Sequence, residues 1–206
     1  MMARSRGRVA TYSDWCNPYL VANAEQLLKK ELERMRIRPE NIHLCLTTDP
    51  FMYGYPEVTE LTLRLIEVIN SYEISCSILT KGIIPLELAD SLRFTQNNTL
   101  GISLVSLSEE FRMKWEPGAA PYTSRIGALR EMHNLGCTTL VHIEPYPTPN
   151  IIGQDLNKLL MAVDFADEIW FGRWNYNNIV KQYPDHKKFY DEQSAIVRRN
   201  IQTSRP

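Results

Sequence analysis

Apolar residues come in short, dense runs along this chain, and each run is separated from the next by a longer stretch with helical spacing. Leu20 to Arg36 carries apolar Leu20, Ala24, Leu27 and Leu28 on one side and Lys29, Lys30, Glu31 and Glu33 on the other, which predicts an amphipathic helix closed by Pro39. Ile42 to Thr48 follows as a nearly all-apolar strand stopped by Asp49-Pro50. Continuous runs of that kind suit strands buried on both faces, as in parallel sheets.

The unit then repeats. The pattern predicts helices over Val58–Ser71, near Pro85–Leu92, and over Ser124–Leu135, Asp155–Phe165 and Phe189–Asn200. It predicts strands over Ile74–Thr80, Leu100–Ser106, Thr138–Ile143 and Glu168–Gly172. Strand–helix alternation with short links means parallel βα units with right-handed crossovers, so the fold class is α/β. Five strands fit either an open doubly wound sheet or most of a barrel. No G-x-G-x-x-G follows any strand, which weakens a dinucleotide-binding sheet. The chain opens on a loop and a helix where a βα fold opens on a strand, so a first strand is expected to be missing.

Composition narrows the classes. A chain of 206 residues, 44% hydrophobic and 23% charged, has ordinary globular values and length for one domain, residues 1–206. Its net charge of −1 gives no global pull toward nucleic acid or an anionic membrane. No apolar run is long enough to span a bilayer, and the basic N-terminus is not followed by an apolar stretch, so no membrane partner and a cytoplasmic location are expected. Cys16, Cys45, Cys76 and Cys137 show no C-x2-C or C-x3-C spacing. Cys45 and Cys76 fall inside strand runs and are expected as buried free thiols.

In α/β folds, ligands bind beyond the carboxyl ends of the parallel strands. Those ends read Thr47-Thr48-Asp49-Pro50, Thr80-Lys81-Gly82, Ser103 with Ser106, Glu144-Pro145-Tyr146-Pro147 and Gly172-Arg173-Trp174-Asn175. Singly, each reads as a turn or a cap. Together they suit an amino-acid-like ligand. Asp49 and Glu144 would accept from an ammonium, Lys81 would meet a carboxylate, and the serines would meet ribose hydroxyls. Trp174, Tyr146 and Tyr53 offer flat surfaces for a purine.

The ordered set Leu46-Thr47-Thr48-Asp49-Pro50-Phe51, Ser77-Ile78-Leu79-Thr80-Lys81-Gly82, Gly101-Ile102-Ser103-Leu104, Glu116-Pro117, Ser124-Arg125-Ile126 and Gly136 resembles the radical S-adenosylmethionine (radical SAM) superfamily, in the branch related to spore photoproduct lyase. The resemblance spans Trp15 to Asn177. It implies a partial (β/α)6 barrel, a TIM-like barrel of radical SAM type. It also implies an S-adenosylmethionine site drawn from Thr47, Thr48, Asp49, Lys81, Ser103, Arg125 and Glu144, with Asp49 at the cofactor's amino group. Such enzymes hold a 4Fe–4S cluster on a cysteine triplet after the first strand and cleave the sulfonium reductively to a 5′-deoxyadenosyl radical. This sequence has no such triplet, so no metal ligands are expected in it, and the cluster is expected only in a longer chain with upstream cysteines. The resemblance leaves the substrate unknown and implies a reductant protein as a possible partner. Two other readings stand beside it: a non-catalytic barrel remnant binding a nucleoside or a partner protein, and a cluster-free hydrolase or isomerase using Glu144, Asp49 and His142.

Overall fold

The structure is a computed structural model that describes residues 10, 11, 14, 17–45 and 48–203. Five parallel strands form one sheet: β1 (Asn41–Leu44), β2 (Ser75–Thr80), β3 (Thr99–Ser103), β4 (Thr138–Tyr146) and β5 (Glu168–Arg173). Their helices are α1 (Ala24–Arg34), α2 (Pro56–Ser71), α3 (Glu109–Trp115), α4 (Tyr122–Asn134), α5 (Leu156–Ala162), α6 (Asn178–Lys181) and α7 (His186–Thr203).

The strands lie side by side in chain order, β1-β2-β3-β4-β5, each parallel to the next. A doubly wound sheet reverses its strand order part-way and carries helices on both faces. Here the order never reverses, so right-handed crossovers put the connecting helices α2, α4 and α5 on one side and the sheet curls as a partial barrel. Among the described residues, β1 and β5 are each paired along one edge only.

Burial follows the same division. Along β2, Cys76, Ile78 and Thr80 are buried while Ser75, Ser77 and Leu79 are half-exposed. The buried set meets Leu63, Ile66 and Ile69 of α2, and further along Leu100, Ile102, Val141 and Ile143 meet Leu129 and Met132 of α4. At about 1.5–3 kcal/mol for each fully buried aliphatic side chain, this helix-side layer holds the domain together.

The opposite, concave face is mostly polar, with Leu79 and Leu140 set among its polar residues. Asn41 donates to Ser75 Oγ at 2.9 Å, Ser77 donates to Asn41 Oδ1 at 3.0 Å, and His43 Nε2 lies 2.9 Å from Cys45 Sγ. Thr99, Ser103, His142, Glu144, Glu168 and Trp170 continue it by register and alternation across β3 to β5. The reading of Ile42–Thr48 as a strand buried on both faces is therefore corrected. β1 covers Asn41–Leu44, with Asn41 and His43 exposed, and Leu46 and Thr47 lie outside the described residues. Cys45 is half-buried on the concave side, not in the core, whereas Cys76 is fully buried on the helix side.

Other boundaries shift for local reasons. The segment near Pro85–Leu92 makes only a single 3-10 turn, Leu86–Ala89. β3 ends at Ser103, and β4 runs on through Glu144 to Tyr146 across a register shift. In α1 the buried side chain is Leu32, while Leu27, and Leu20 ahead of the helix, remain exposed. Helix α3 is absent from the sequence reading. Its cap is Ser108, whose Oγ accepts from Phe111 N at 3.2 Å. Among the described residues, no helix is long and apolar enough to cross a membrane.

Candidate functional site

Asp49 builds the mouth of the sheet. Its Oδ1 accepts from Phe51 N at 2.9 Å and from Thr80 Oγ1, and its Oδ2 accepts from Lys81 N at 2.6 Å. Thr80 Oγ1 in turn accepts from Gly82 N at 2.8 Å. One carboxylate thus ties the exit of β1 to the exit of β2. The clamp draws the backbones so close that a Cβ on Gly82 would stand 1.6 Å from Phe51 O, which only glycine permits.

Lys81 is fixed at both ends. Its carbonyl accepts from Ala120 N at 2.9 Å, and its Nζ meets Glu116 Oε1 at 2.8 Å, an ion pair misaligned for a hydrogen bond. The loop carrying Glu116 and Ala120 is strapped by α3. Arg112 donates to Ala119 O at 2.7 Å and Tyr122 N donates to Glu109 Oε1 at 2.8 Å. The Arg112 side chain beside Glu109, and the Tyr122 amide, hold the Glu109 carboxyl below the usual range.

Behind that loop sits Arg125, fully buried. Its Nε donates to Ala120 O at 2.8 Å, its Nη1 to Ser103 O at 2.8 Å and its Nη2 to Glu116 Oε2 at 3.2 Å. The guanidinium lies 4.8 Å from the Tyr122 ring centroid, and the Tyr122 hydroxyl is buried without a hydrogen-bond partner. Burial, followed by the neighbouring Glu116, pushes that phenol up.

A hollow of about 270 Å³ opens at this mouth, lined by Cys45, Thr48, Asp49, Leu79, Thr80, Lys81 and Ser103. That is near the small end of ligand pockets, roughly 300–1,000 Å³. A larger hollow of about 500 Å³ is lined only by the contiguous segment from Lys181 to Lys188, between α6 and α7. It is built by one contiguous segment alone, so we take the smaller hollow, which joins the exits of β1, β2 and β3, as the candidate site.

Of the residues expected at the site, Thr48, Asp49, Lys81 and Ser103 share this hollow. Arg125 stands behind it, and Thr47 lies outside the described residues. Glu144 is placed further round the concave face. Its Oε2 is 3.5 Å from His142 Nε2, and its side chain occupies the space that a Cβ on Gly172 would need. The His142 ring lies 6.0 Å from that of Trp170, which is 54% exposed. Burial lowers the His142 imidazole, Glu144 opposes that shift, and the charge of His43 adds to it.

The proposed flat surfaces divide. Tyr146 is buried against Phe171 and Phe189, with its phenol pushed up to about 12 chiefly by burial, so it presents no ring to a ligand. Trp174 is half-buried and edge-on to Trp115 at 5.2 Å, and Tyr53 is 44% exposed. Glu116, His43 and Trp170 went unassigned in the sequence. Only Glu116 carried a signal there, as part of Glu116-Pro117.

No family model matches the chain, and no curated protein does. A solved structure of spore photoproduct lyase, a mutant with bound AdoMet and dinucleoside spore photoproduct, is similar at 18% identity and a TM-score of 0.53. The match covers 78% of this chain and 50% of that one, so this chain spans about half the length of the protein it matches. The two share a fold, a partial α/β barrel of parallel strands.

A 4Fe–4S cluster does not fit the described residues. Cys76 and Cys137 are buried, Cys45 faces the concave side, and no group of three or more His, Cys, Asp or Glu among the described residues could hold a metal ion. Cys16 lies outside them.

Proposed function

We propose that this chain binds S-adenosylmethionine at the mouth of β1 to β3, as the barrel of a radical SAM enzyme acting on a substrate still to be identified. The observation that carries the reading is the convergence of Thr48, Asp49, Lys81 and Ser103 on one hollow at the strand carboxyl ends. The AdoMet bound in the structurally similar lyase supports it.

Lys81 Nζ is the cation for the methionyl carboxylate, and Asp49 retains lone pairs for the ammonium. The Thr48 and Ser103 hydroxyls serve the ribose, with Thr47 in the same segment. Arg125 acts from behind by fixing Ser103 O and Glu116. Glu144, with His142, faces the substrate side of the concave surface.

Reductive cleavage of the sulfonium is chemistry that a 4Fe–4S cluster supplies, with electrons from a reductant protein. No step of it is assigned to these residues.

Titration calorimetry with S-adenosylmethionine tests the reading. Lys81→Met should weaken binding by about tenfold or more, the scale of one charge-assisted hydrogen bond. No binding by the unmodified chain, or equal binding by the variant, would sink it.

A second reading, a barrel that binds a nucleoside or a partner protein without catalysis, is favoured by the separation of Cys45 from Cys76. Anaerobic reconstitution with iron and sulfide separates the two. Cysteine-bound iron with 5′-deoxyadenosine as product supports the enzyme, and neither supports the binding module.

A further inference from the structure

Among the described residues, two side-chain polar atoms are buried without a hydrogen bond, and both are at one place: Glu116 Oε1 and the Tyr122 hydroxyl. Such groups cost free energy unless something makes use of them. Glu116 is held from behind by Arg125 Nη2 at 3.2 Å and faces Lys81 Nζ at 2.8 Å. The Lys81 side chain is 42% exposed and able to move, whereas that of Glu116 is 4% exposed and fixed. Tyr122 is fixed too, by burial and by the Arg125 guanidinium over its ring.

We infer that Glu116 is an exchangeable holder of Lys81, and that the Tyr122 hydroxyl is its reserve donor. A ligand carboxylate that draws the Lys81 ammonium toward the hollow releases Glu116 Oε1, and Tyr122 then donates to it. The exchange moves one flexible side chain and needs the two neighbouring buried oxygens to close to hydrogen-bond distance. It keeps the buried carboxylate satisfied, so taking Lys81 away does not leave a bare charge inside the protein. Glu116 and Tyr122 are thereby positioning residues for Lys81. The inference rests on the proposed ligand only for what draws Lys81 away, because the handover itself is open to test without any ligand.

The test uses Tyr122→Phe in two backgrounds, with thermal melting as the first readout. Where Lys81 is present the hydroxyl has no partner, so Tyr122→Phe should melt no lower than the parent. In Lys81→Met protein the hydroxyl is already recruited by Glu116, so the same substitution should lower the melting temperature. An equal effect in both backgrounds overturns the handover.

Calorimetry is the second readout. Tyr122→Phe should bind S-adenosylmethionine about tenfold more weakly, the scale of a hydrogen bond to a charged group, and should bind 5′-methylthioadenosine, which has no carboxylate, unchanged. Equal weakening for both ligands, or none for either, counts against the handover. Failure of the parent protein to bind S-adenosylmethionine sinks the proposed function and leaves the melting comparison to decide the handover.

Discussion

Replacing Arg125 by methionine tests how far the mouth depends on one buried cation. Methionine keeps much of the volume and deletes the guanidinium. The substitution leaves Ala120 O, Ser103 O and Glu116 Oε2 without their donor. The Arg125 side chain is 0% exposed and that of Glu116 is 4%, so solvent screening does not reduce the loss. Removing one partner of a buried pair costs about 3–5 kcal/mol. For a chain of this size, about 2–4 °C per kcal/mol converts that into a drop of about 6–20 °C in melting temperature. Whole-domain stability is about 5–15 kcal/mol, so urea titration followed by circular dichroism should be run beside the thermal scan. Arg125→Lys, which restores charge without the three-way fork, should fall between the two. A loss below about 1 kcal/mol in Arg125→Met would refute the idea that this cation braces the loop carrying Glu116.

Other substitutions separate architecture from chemistry. Gly82→Ala should prevent folding or lower stability severely, because its Cβ meets the Phe51 carbonyl; expression with a native-like melt would refute the clamp geometry. Gly172→Ala meets the Glu144 side chain instead, so it should displace that carboxylate at small cost in stability, read as an altered His142 titration by NMR. The lowered His142 pKa has a sign. Below the unfolded value of about 6.5 the unfolded chain binds the extra proton first, so stability should fall as pH drops from there, and His142→Gln should flatten that slope in urea titrations at several pH values. Iodoacetamide should label half-buried Cys45 before Cys76, whose thiol is pushed up to about 12 by burial; comparable rates by mass spectrometry would contradict the placement of the two faces.

The alternation of strands and helices was legible because burial on the helix side leaves a dense apolar trace. Strand order was not legible, since sequential and doubly wound sheets share that trace. The concave face misled for a related reason. Ile42, Leu44 and Cys45 look like one apolar run, yet His43 and Cys45 point away from the helices. Of the candidate contacts read at strand ends, Thr48, Asp49, Lys81 and Ser103 line one hollow. Arg125 was read as a ligand contact and lies behind the mouth, because a helix residue's reach depends on packing that spacing does not encode. The short helix α3 was missed for want of an apolar face, although Ser108-Glu109-Glu110 has the form of a cap and acidic first turn.

The two faces of the sheet divide labour residue by residue, and that bears on how readily such a protein acquires new specificity. Along one strand, Cys76 and Ile78 belong to the packed layer, whereas Ser75 and Ser77 belong to the concave surface. Substitutions at the second kind of position cost little stability, typically within about 0.5 kcal/mol, while those at the first cost several-fold more. A combinatorial library confined to Asn41, His43, Ser77, Thr99, His142 and Trp170 would therefore vary the concave surface at little mutational load. The same number of changes one residue along each strand would leave few folded members.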